Sequence, residues 1–451
     1  MTTEHDDLAA YINALPFVDT HSHMAGFDVG SPADDRGGRS LPQLLMKDYL
    51  QYLAGSCGQL PEPPAGKAEW GVEDAEAHFR AILPLLDQYR ALTTYAVLRE
   101  GLRELYGFDE PDITESNWRR INDQIVRAYR THGERAWQRQ VVRRAGVVLK
   151  NQMVVLPYVT DHWDALPPDE RAAQKRFLLP SLILDGYLFT GFSTGKPGRE
   201  RSTELVGLHP TTHGEYVEFC RRVLDLFVAK GGRSVKLLTA YHRTLRFEQV
   251  GDDEAAPLFA RGPEALRGDD FRRLQDNLCW HLLELAHARG LPLIVHAGYS
   301  SPSEWADAEH LIPLLTSPRL AGMKIDICHS NWPREGGALI MARTYRGAYF
   351  NLCWTPMLSR ALGKRVLSEA IDMTPMNKLL LGTDCGSAES FLGTVRLLRS
   401  VLAEVLTEKV RAKQFGADVA RGVAKAILFD NALEFYGMTA EQVPTTQGET
   451  P

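Results

Sequence analysis

The chain has 451 residues, enough for one large barrel with insertions or for two or three smaller domains. Apolar residues make up 44% and charged residues 24%, and 57 acidic against 51 basic residues leave a formal charge of −6. This balance, without a basic stripe, argues against nucleic acid and against an anionic membrane surface as partners. The acidic N-terminus does not resemble a signal peptide, and no apolar run reaches about 18 residues. We therefore expect a cytoplasmic globular protein.

Eight short apolar or β-branched runs predict eight strands along the chain. They cover residues 16–23, 146–155, 177–185, 234–241, 292–298, 324–330, 348–356 and 378–386. Several are apolar almost throughout, which is typical of parallel strands buried on both faces. Helical patterns such as residues 271–290 lie between the later runs. This alternation predicts an α/β fold of the (β/α)8 TIM-barrel type.

Residues 25–141 do not fit a minimal barrel and predict an insertion after the first strand. Gly/Pro/Asp-rich loops are followed by two or three helices over 76–141. The insertion could roof the active-site face or serve peripheral packing or oligomer contacts. The Gly/Pro-rich segment 243–270 is predicted to be a mobile loop. We expect one domain over 1–440 and a disordered tail over 441–451.

The strongest local motif is His21-Ser22-His23, which ends the first predicted strand. On a strand, residues two apart project to the same face, so both imidazoles can approach one metal ion. His296, His329 and Asp384 each stand near the end of a later predicted strand. The carboxyl ends of barrel strands meet at one face, where TIM-barrel catalytic groups lie. The pattern predicts a metal centre at that face.

Imidazole and carboxylate donors suit zinc, with manganese or iron as alternatives, better than calcium or magnesium. Zinc favours hydrolysis because it polarises a carbonyl and lowers the pKa of bound water to about 7. Asp384 is placed to bind the ion and to accept the proton of that water as a general base.

The segments HSH, VHAG, CHS and GTD, in this order and spacing, resemble the amidohydrolase superfamily over residues 16–440. The resemblance implies His21, His23, His296 and Asp384 as metal ligands, with His329 contacting a second ion or the substrate. The segments VKLLTAYHRTLRF, EHLIPLL and AYFNLCWTP are similar to a narrower branch. That branch comprises nodulin-like amidohydrolases, some of which are fused to glutamine synthetase-like domains. The helical insertion is similar to that of uronate isomerases.

Lys236, near the end of the fourth predicted strand, decides between one metal ion and two. In many binuclear members of the superfamily a carboxylated lysine at this place bridges two ions. A buried neutral lysine could take up carbon dioxide in this way. The alternative is an unmodified lysine beside a mononuclear centre, which is favoured because no other bridging carboxylate is evident.

Four residues near the predicted strand ends are candidates for binding substrate. Tyr241 and Arg243 follow the fourth strand, Arg334 follows His329, and Trp354 ends the seventh strand. An arginine at such a place can clamp a carboxylate through two hydrogen bonds. We therefore predict that Arg243 or Arg334 faces the metal.

The sequence thus predicts an enzyme that cleaves an amide or other C–N bond of a small, carboxylate-bearing substrate with metal-activated water. Asp384, His329 and Lys236 would be its catalytic residues, with His329 as an acid toward the leaving group. The alternatives are a decarboxylase or a uronate-type isomerase on the same site, and a non-catalytic binding protein with a vestigial barrel. We expect a homo-oligomer.

Overall fold

The computed structural model describes residues 3–24, 39–46, 48, 50, 56, 70–190, 195–300 and 302–444. Much of the first part of the predicted insertion and residues 445–451 of the predicted tail therefore lie outside the described residues. The division into one domain over 1–440 and a tail stays a prediction.

The eight predicted strands are all present and form one parallel sheet in the order β1 to β8, each paired with the next. Their bounds are β1 Phe17–Asp19, β2 Val147–Val154, β3 Leu178–Ile183, β4 Ser234–Leu237, β5 Leu293–His296, β6 Ile325–Cys328, β7 Ala348–Asn351 and β8 Leu379–Leu380. Nearly every strand residue is buried, as the apolar runs indicated. The fold is therefore an α/β fold of the TIM-barrel type.

Hydrogen bonds beyond the ends of β1 and β8 link the first strand to the last. The Thr20 amide donates to the Leu381 carbonyl at 3.1 Å, and the Asp384 amide donates to the His21 carbonyl at 2.8 Å. The segments that carry the first and the last predicted ligands are therefore adjacent in the folded chain.

Helices surround the sheet and also fill the interval between β1 and β2. The α-helices of four or more residues are Thr3–Ala14, Leu41–Leu45, Val72–Tyr89, Thr93–Tyr106, Trp118–His132, Glu134–Arg144, Pro168–Phe177, Gly195–Val206, His213–Ala229, Asp252–Ala260, Gly268–His287, Ile312–Thr316, Glu335–Thr344, Thr355–Leu358, Arg360–Met373, Ala388–Arg411, Ala417–Lys425 and Asn431–Phe435. Most helices after β2 follow one strand and precede the next, as the alternation predicted.

Residues 72–144 fold into four helices, where the sequence predicted two or three. Gly107 and Gly133, both at positive φ, separate helices that the periodicity alone runs together. These helices bury an apolar core of their own, which includes Phe79, Tyr95 and Trp118.

The helix Thr93–Tyr106 joins this helical layer to the barrel by packing against Ala388–Arg411, the helix after β8. A Cβ atom at Gly101 would overlap the backbone of Glu389, and one at Gly393 would overlap the backbone of Val97. Two glycines thus allow the helix backbones to approach closely. The inserted helices consequently lie against the segment that carries Asp384.

The segment 243–270 is not the loop that its composition predicted. It contains the helix Asp252–Ala260, whose Phe259 side chain is buried. Pro257 lies inside this helix. Proline and the flanking glycines are typical of loops, so the sequence pattern did not predict a helix here.

Candidate metal centre

The motif after β1 and the segment after β8 are held together by backbone hydrogen bonds. In addition to the bond from the Asp384 amide, the His23 amide donates to the Cys385 carbonyl at 2.9 Å. The buried Asp19 carboxylate accepts from the Thr383 amide at 2.9 Å and from the Thr383 hydroxyl at 2.8 Å. The backbone therefore fixes the two histidines relative to Asp384 before any ligand is added.

The Asp384 carboxylate lies among three imidazoles. Its Oδ1 is 3.3 Å from His21 Nε2 and 3.0 Å from His23 Nε2, and its Oδ2 is 3.7 Å from His329 Nδ1. His21, His329 and Asp384 are buried and offer three donor atoms that lie within 4.8 Å of one another. The His23 side chain is 46% exposed and faces the opening of the site.

The predicted ligand His296 lies farther from Asp384 than His329 does. Its ring centroid is 4.4 Å from that of His329 and 4.5 Å from the ring of Tyr241. Its Nε2 is 3.2 Å from the Tyr299 carbonyl oxygen. The structure thus groups His329 with His21 and Asp384 more tightly than it groups His296, although the resemblance implied the opposite ranking. The ligand set itself stays a prediction.

Three residues of the site have unusual backbone angles. His329, Trp354 and Asp384 all have positive φ values, of 65°, 70° and 56°. Residues other than glycine rarely adopt such angles, each at a strain of about 1–3 kcal/mol, and the strain concentrates at functional sites. Here the three positive φ values set the direction of the side chains that follow β6, β7 and β8 at one end of the barrel.

The charge states in this site suit metal coordination. Burial and the nearby Lys236 ammonium lower the pKa of His21 to about 3 and that of His296 to about 3. Burial and the neighbouring His296 lower the pKa of His329 well below its usual value. Burial favours the protonated form of Asp384, but hydrogen bonds from His21 and His23 outweigh it and hold its pKa well below 3.8. Neutral imidazoles with available lone pairs therefore surround an ionised carboxylate.

Lys236 on β4 is fully buried, and its Nζ has no hydrogen-bond partner within the described residues. Two buried carboxyl groups, Asp185 and Asp326, lie near enough for its charge to lower their pKa values. Burial has the larger effect and raises the pKa to about 6 for Asp185 and to about 7 for Asp326. An ammonium with three unused N–H donors is costly in such a place. The environment suits either a modified lysine or one whose partner is a bound ligand.

The donors present fit a transition-metal ion. His329 Nδ1 and His21 Nδ1 are also buried without a hydrogen-bond partner among the described residues. Buried polar atoms normally have hydrogen-bond partners, so these two imidazole nitrogens fit the role of metal ligands. Imidazole nitrogens with a single carboxylate match the preference of zinc, manganese and iron.

Aromatic side chains form one wall beside His329. The Trp354 ring is 5.7 Å from that of His329, 5.8 Å from Tyr299 and 6.4 Å from Trp332. Tyr299 is 54% exposed, so this wall opens to solvent. Trp354 is among the predicted substrate-binding residues. Tyr299 and Trp332 are not, although they lie three residues beyond His296 and His329.

Tyr241, also predicted to bind substrate, lies beside His296. Its hydroxyl is 3.4 Å from His296 Nδ1, and the residue is 42% exposed. Its position at the open side of the site agrees with that prediction but does not test it.

Arg243 does not point toward the metal centre. Its guanidinium is buried against the helix Gly268–His287, where it pairs with Asp276 at 2.6 Å. Its position in sequence, six residues after the end of β4, did not show that the chain turns away from the barrel mouth there. The structure therefore does not support a substrate-binding role for Arg243.

Arg334 remains the candidate for binding a carboxylate group of the substrate. It is 41% exposed and lies 3.5 Å from Asp307, and its Nη1 donates to the Ser303 carbonyl. These partners belong to the loop after β5, so Arg334 lies between the loops that follow β5 and β6.

Comparison with known proteins identifies relatives of part of this barrel. Residues 250–438, which include His296, His329 and Asp384, match the family model described as Amidohydrolase. The resemblance to the amidohydrolase superfamily that the motifs indicated is confirmed for this part of the chain, which is less than half of its length.

Solved structures agree with this fold over nearly the whole length of the chain. Uronate isomerase from Thermotoga maritima superposes with a TM-score of 0.78 at 16% identity, covering 97% of this chain and 98% of that one. Glucuronate isomerase from Caulobacter crescentus gives a TM-score of 0.78 at 16% identity, covering 99% and 96%. At this identity the likeness establishes the fold.

Protein fluG of Emericella nidulans is 30% identical over 121 residues, which is 26% of this chain and 14% of fluG. The match thus spans a small part of that protein, and membership in the nodulin-like branch stays a prediction. None of the described helices combines the length and apolar character needed to cross a bilayer.

Proposed function

We propose that this amidohydrolase-superfamily protein is a metal-dependent hydrolase that cleaves an amide or other C–N bond of a small substrate. The observation that carries the proposal is the buried Asp384 carboxylate within 3.0–3.7 Å of three imidazole nitrogens. His21, His23, His329 and Asp384 would hold the ion, with His296 beside them. We propose zinc, because Lewis-acid hydrolysis needs no redox change.

A zinc ion bound there would polarise the substrate carbonyl and acidify the attacking water. Asp384 is ionised at ordinary pH because its pKa lies well below 3.8, and it would accept the proton of that water. Asp384 would then pass this proton to the leaving nitrogen as the C–N bond breaks. Asp384 is buried, so bulk water does not compete for the proton.

Substrate would enter at the exposed side, between His23 and the aromatic wall. Tyr299, Trp332 and Trp354 offer ring faces to an apolar or ring-shaped part of the substrate. Arg334 is the candidate for a carboxylate group, since a half-exposed guanidinium retains donors for a ligand.

A second function, uronate isomerisation, is favoured by one observation. The two isomerase structures cover 97–99% of this chain, so the likeness includes the helical layer between β1 and β2 as well as the barrel. Isomerisation would use the same ion and a base, and it would release no amine.

The test is an assay that detects both reactions. Chelator-treated protein reloaded with zinc is incubated with N-acyl amino acids and γ-glutamyl amides, and separately with uronates. Primary amine release is read by fluorescence, and ketose formation is read by a colorimetric assay. Asp384→Asn is the control for chemistry at the proposed centre.

We expect amine release that requires zinc and is lost in Asp384→Asn. Ketose formation from uronates without amine release would overturn the hydrolase proposal in favour of isomerisation. If the protein binds no metal and catalyses neither reaction, the result would favour a non-catalytic binding protein.

A further inference from the structure

A second group of metal-ligating side chains lies among the outer helices, away from the residues of the candidate centre. His213 begins the helix His213–Ala229, Asp252 begins the helix Asp252–Ala260, and His281 lies on the helix Gly268–His287. One donor atom from each of the three lies within 4.8 Å of the other two.

The hydrogen bonds in this group leave the atoms that a metal would need. His213 Nε2 is 2.7 Å from Asn277 Oδ1, which fixes that nitrogen as the donor and leaves Nδ1 with a lone pair. Asn277 Nδ2 donates to Asp252 Oδ1 at 2.8 Å, and His281 Nε2 lies 2.7 Å from the same oxygen. Asp252 Oδ2 has no hydrogen-bond partner in the part of the chain that the structure describes.

We propose that His213, Asp252 and His281 form a transition-metal site, with zinc as the fitting ion. Two imidazoles and one carboxylate are a donor set that zinc accepts, with water in the fourth position. Metal-bound histidines usually donate their other N–H to a carbonyl or carboxylate, and Asn277 supplies such an acceptor to His213.

The spacing of the donors also fits. Zinc–ligand bonds of about 2.0–2.2 Å in a tetrahedron place the ligand atoms about 3.3–3.6 Å apart. The His281–Asp252 separation of 2.7 Å would have to open slightly, and the donors within 4.8 Å would have to close slightly. Asp252 is 62% exposed and His281 22% exposed, so an ion can enter from solvent and the side chains can adjust.

Such an ion would clamp the first turn of the helix Asp252–Ala260 between its two neighbours. This helix belongs to the segment 243–270, which follows Tyr241 and the end of β4. Metal binding would therefore stabilise the folded state of this segment. It would take no part in the chemistry proposed at Asp384.

The experiment counts zinc in the full chain. Protein is stripped with a chelator, equilibrated with zinc and analysed by elemental mass spectrometry, and thermal unfolding is followed with and without zinc. His281→Gln and Asp252→Asn remove ligands at partly exposed positions, so both variants should fold. His287→Gln, the same substitution later on the same helix, is the matched control.

We expect His281→Gln and Asp252→Asn to bind one zinc equivalent fewer than the wild type and His287→Gln. At zinc concentrations 100 times the dissociation constant, binding raises the folding equilibrium constant about 100-fold. This part of the zinc-dependent stabilisation should be absent from both ligand variants. Equal zinc stoichiometry in all four proteins would overturn the site and leave a hydrogen-bond network. Zinc bound at Asp384 is unaffected by either substitution, so the outcome is independent of the proposed hydrolase function.

Discussion

Replacing Arg243 by methionine removes a guanidinium whose five N–H groups all have acceptors within the protein. Nε donates to the Thr244 carbonyl, Nη1 to the Arg272 carbonyl and Gln275, and Nη2 to the Arg246 carbonyl and Asp276. Methionine retains much of the side-chain volume and none of these donors. The change therefore tests whether Arg243 acts in the fold or on the substrate.

The expected loss of stability in Arg243→Met depends on the Asp276 carboxylate, which loses one of its partners. Asp276 is fully buried, and removing one partner of a buried ion pair lowers the free energy of unfolding by about 3–5 kcal/mol. Arg272 Nη1 stays 3.1 Å from Asp276 Oδ2, so the charge keeps one partner. We therefore expect a loss of about 3 kcal/mol, at the lower end of that range.

Equilibrium urea denaturation measures this loss, and the Michaelis constant for an anionic substrate is measured in parallel. Arg334→Met is the control: its exposed pair with Asp307 should contribute less than about 1 kcal/mol to stability. The Michaelis constant should rise about 10-fold in Arg334→Met and stay unchanged in Arg243→Met. A stable Arg243→Met variant with a raised Michaelis constant would refute this reading of the structure.

Two further substitutions test the buried charges. We expect Lys236→Ala to retain one metal equivalent at the candidate centre and to lose turnover. If the variant instead loses one metal equivalent and added bicarbonate restores its activity, Lys236 is a carboxylated lysine that bridges two ions. For Asp326, the folded pKa of about 7 lies above the unfolded value of 3.8, so its contribution to stability is present at low pH and is lost as pH rises through 7. In chelator-treated protein this contribution should amount to about 2 kcal/mol between pH 5.5 and pH 8. Asp326→Asn should abolish it in urea denaturation and the exposed-site control Asp418→Asn should not; an unchanged pH dependence in Asp326→Asn would contradict the assignment.

The sequence predicted the parts of the fold that repeat a simple physical pattern. Each strand is a short apolar run because it is buried on both faces, so all eight could be recognised without knowledge of their pairing. His21, His329 and Asp384 could be recognised because each comes just after such a run. Their approach around one carboxylate then follows from the parallel arrangement of the strands.

The remaining features depend on tertiary contacts that no local pattern records. Arg243 follows a strand as closely as Tyr241 does, but its partner Asp276 lies on a helix 33 positions later in the chain. His329 lies closer to Asp384 than His296 does because of the left-handed backbone angles after β6. The residue types of His329 and Ser330 do not predict such angles. The helix Asp252–Ala260 was hidden by Pro257, and its burial comes from Phe259 packing against distant aromatic rings.

Metal analysis of a matched pair of variants tests the metal centre most directly. In the His281→Gln background, so that the outer site does not contribute, protein with and without the Asp384→Asn substitution is stripped, reloaded with zinc and analysed. Loss of the carboxylate that joins three imidazoles should lower zinc affinity at least about 10-fold, with the fold retained by circular dichroism. We predict about one zinc equivalent with Asp384 present and almost none in Asp384→Asn. Equal zinc content in the two proteins would contradict a centre built on His21, His23, His329 and Asp384.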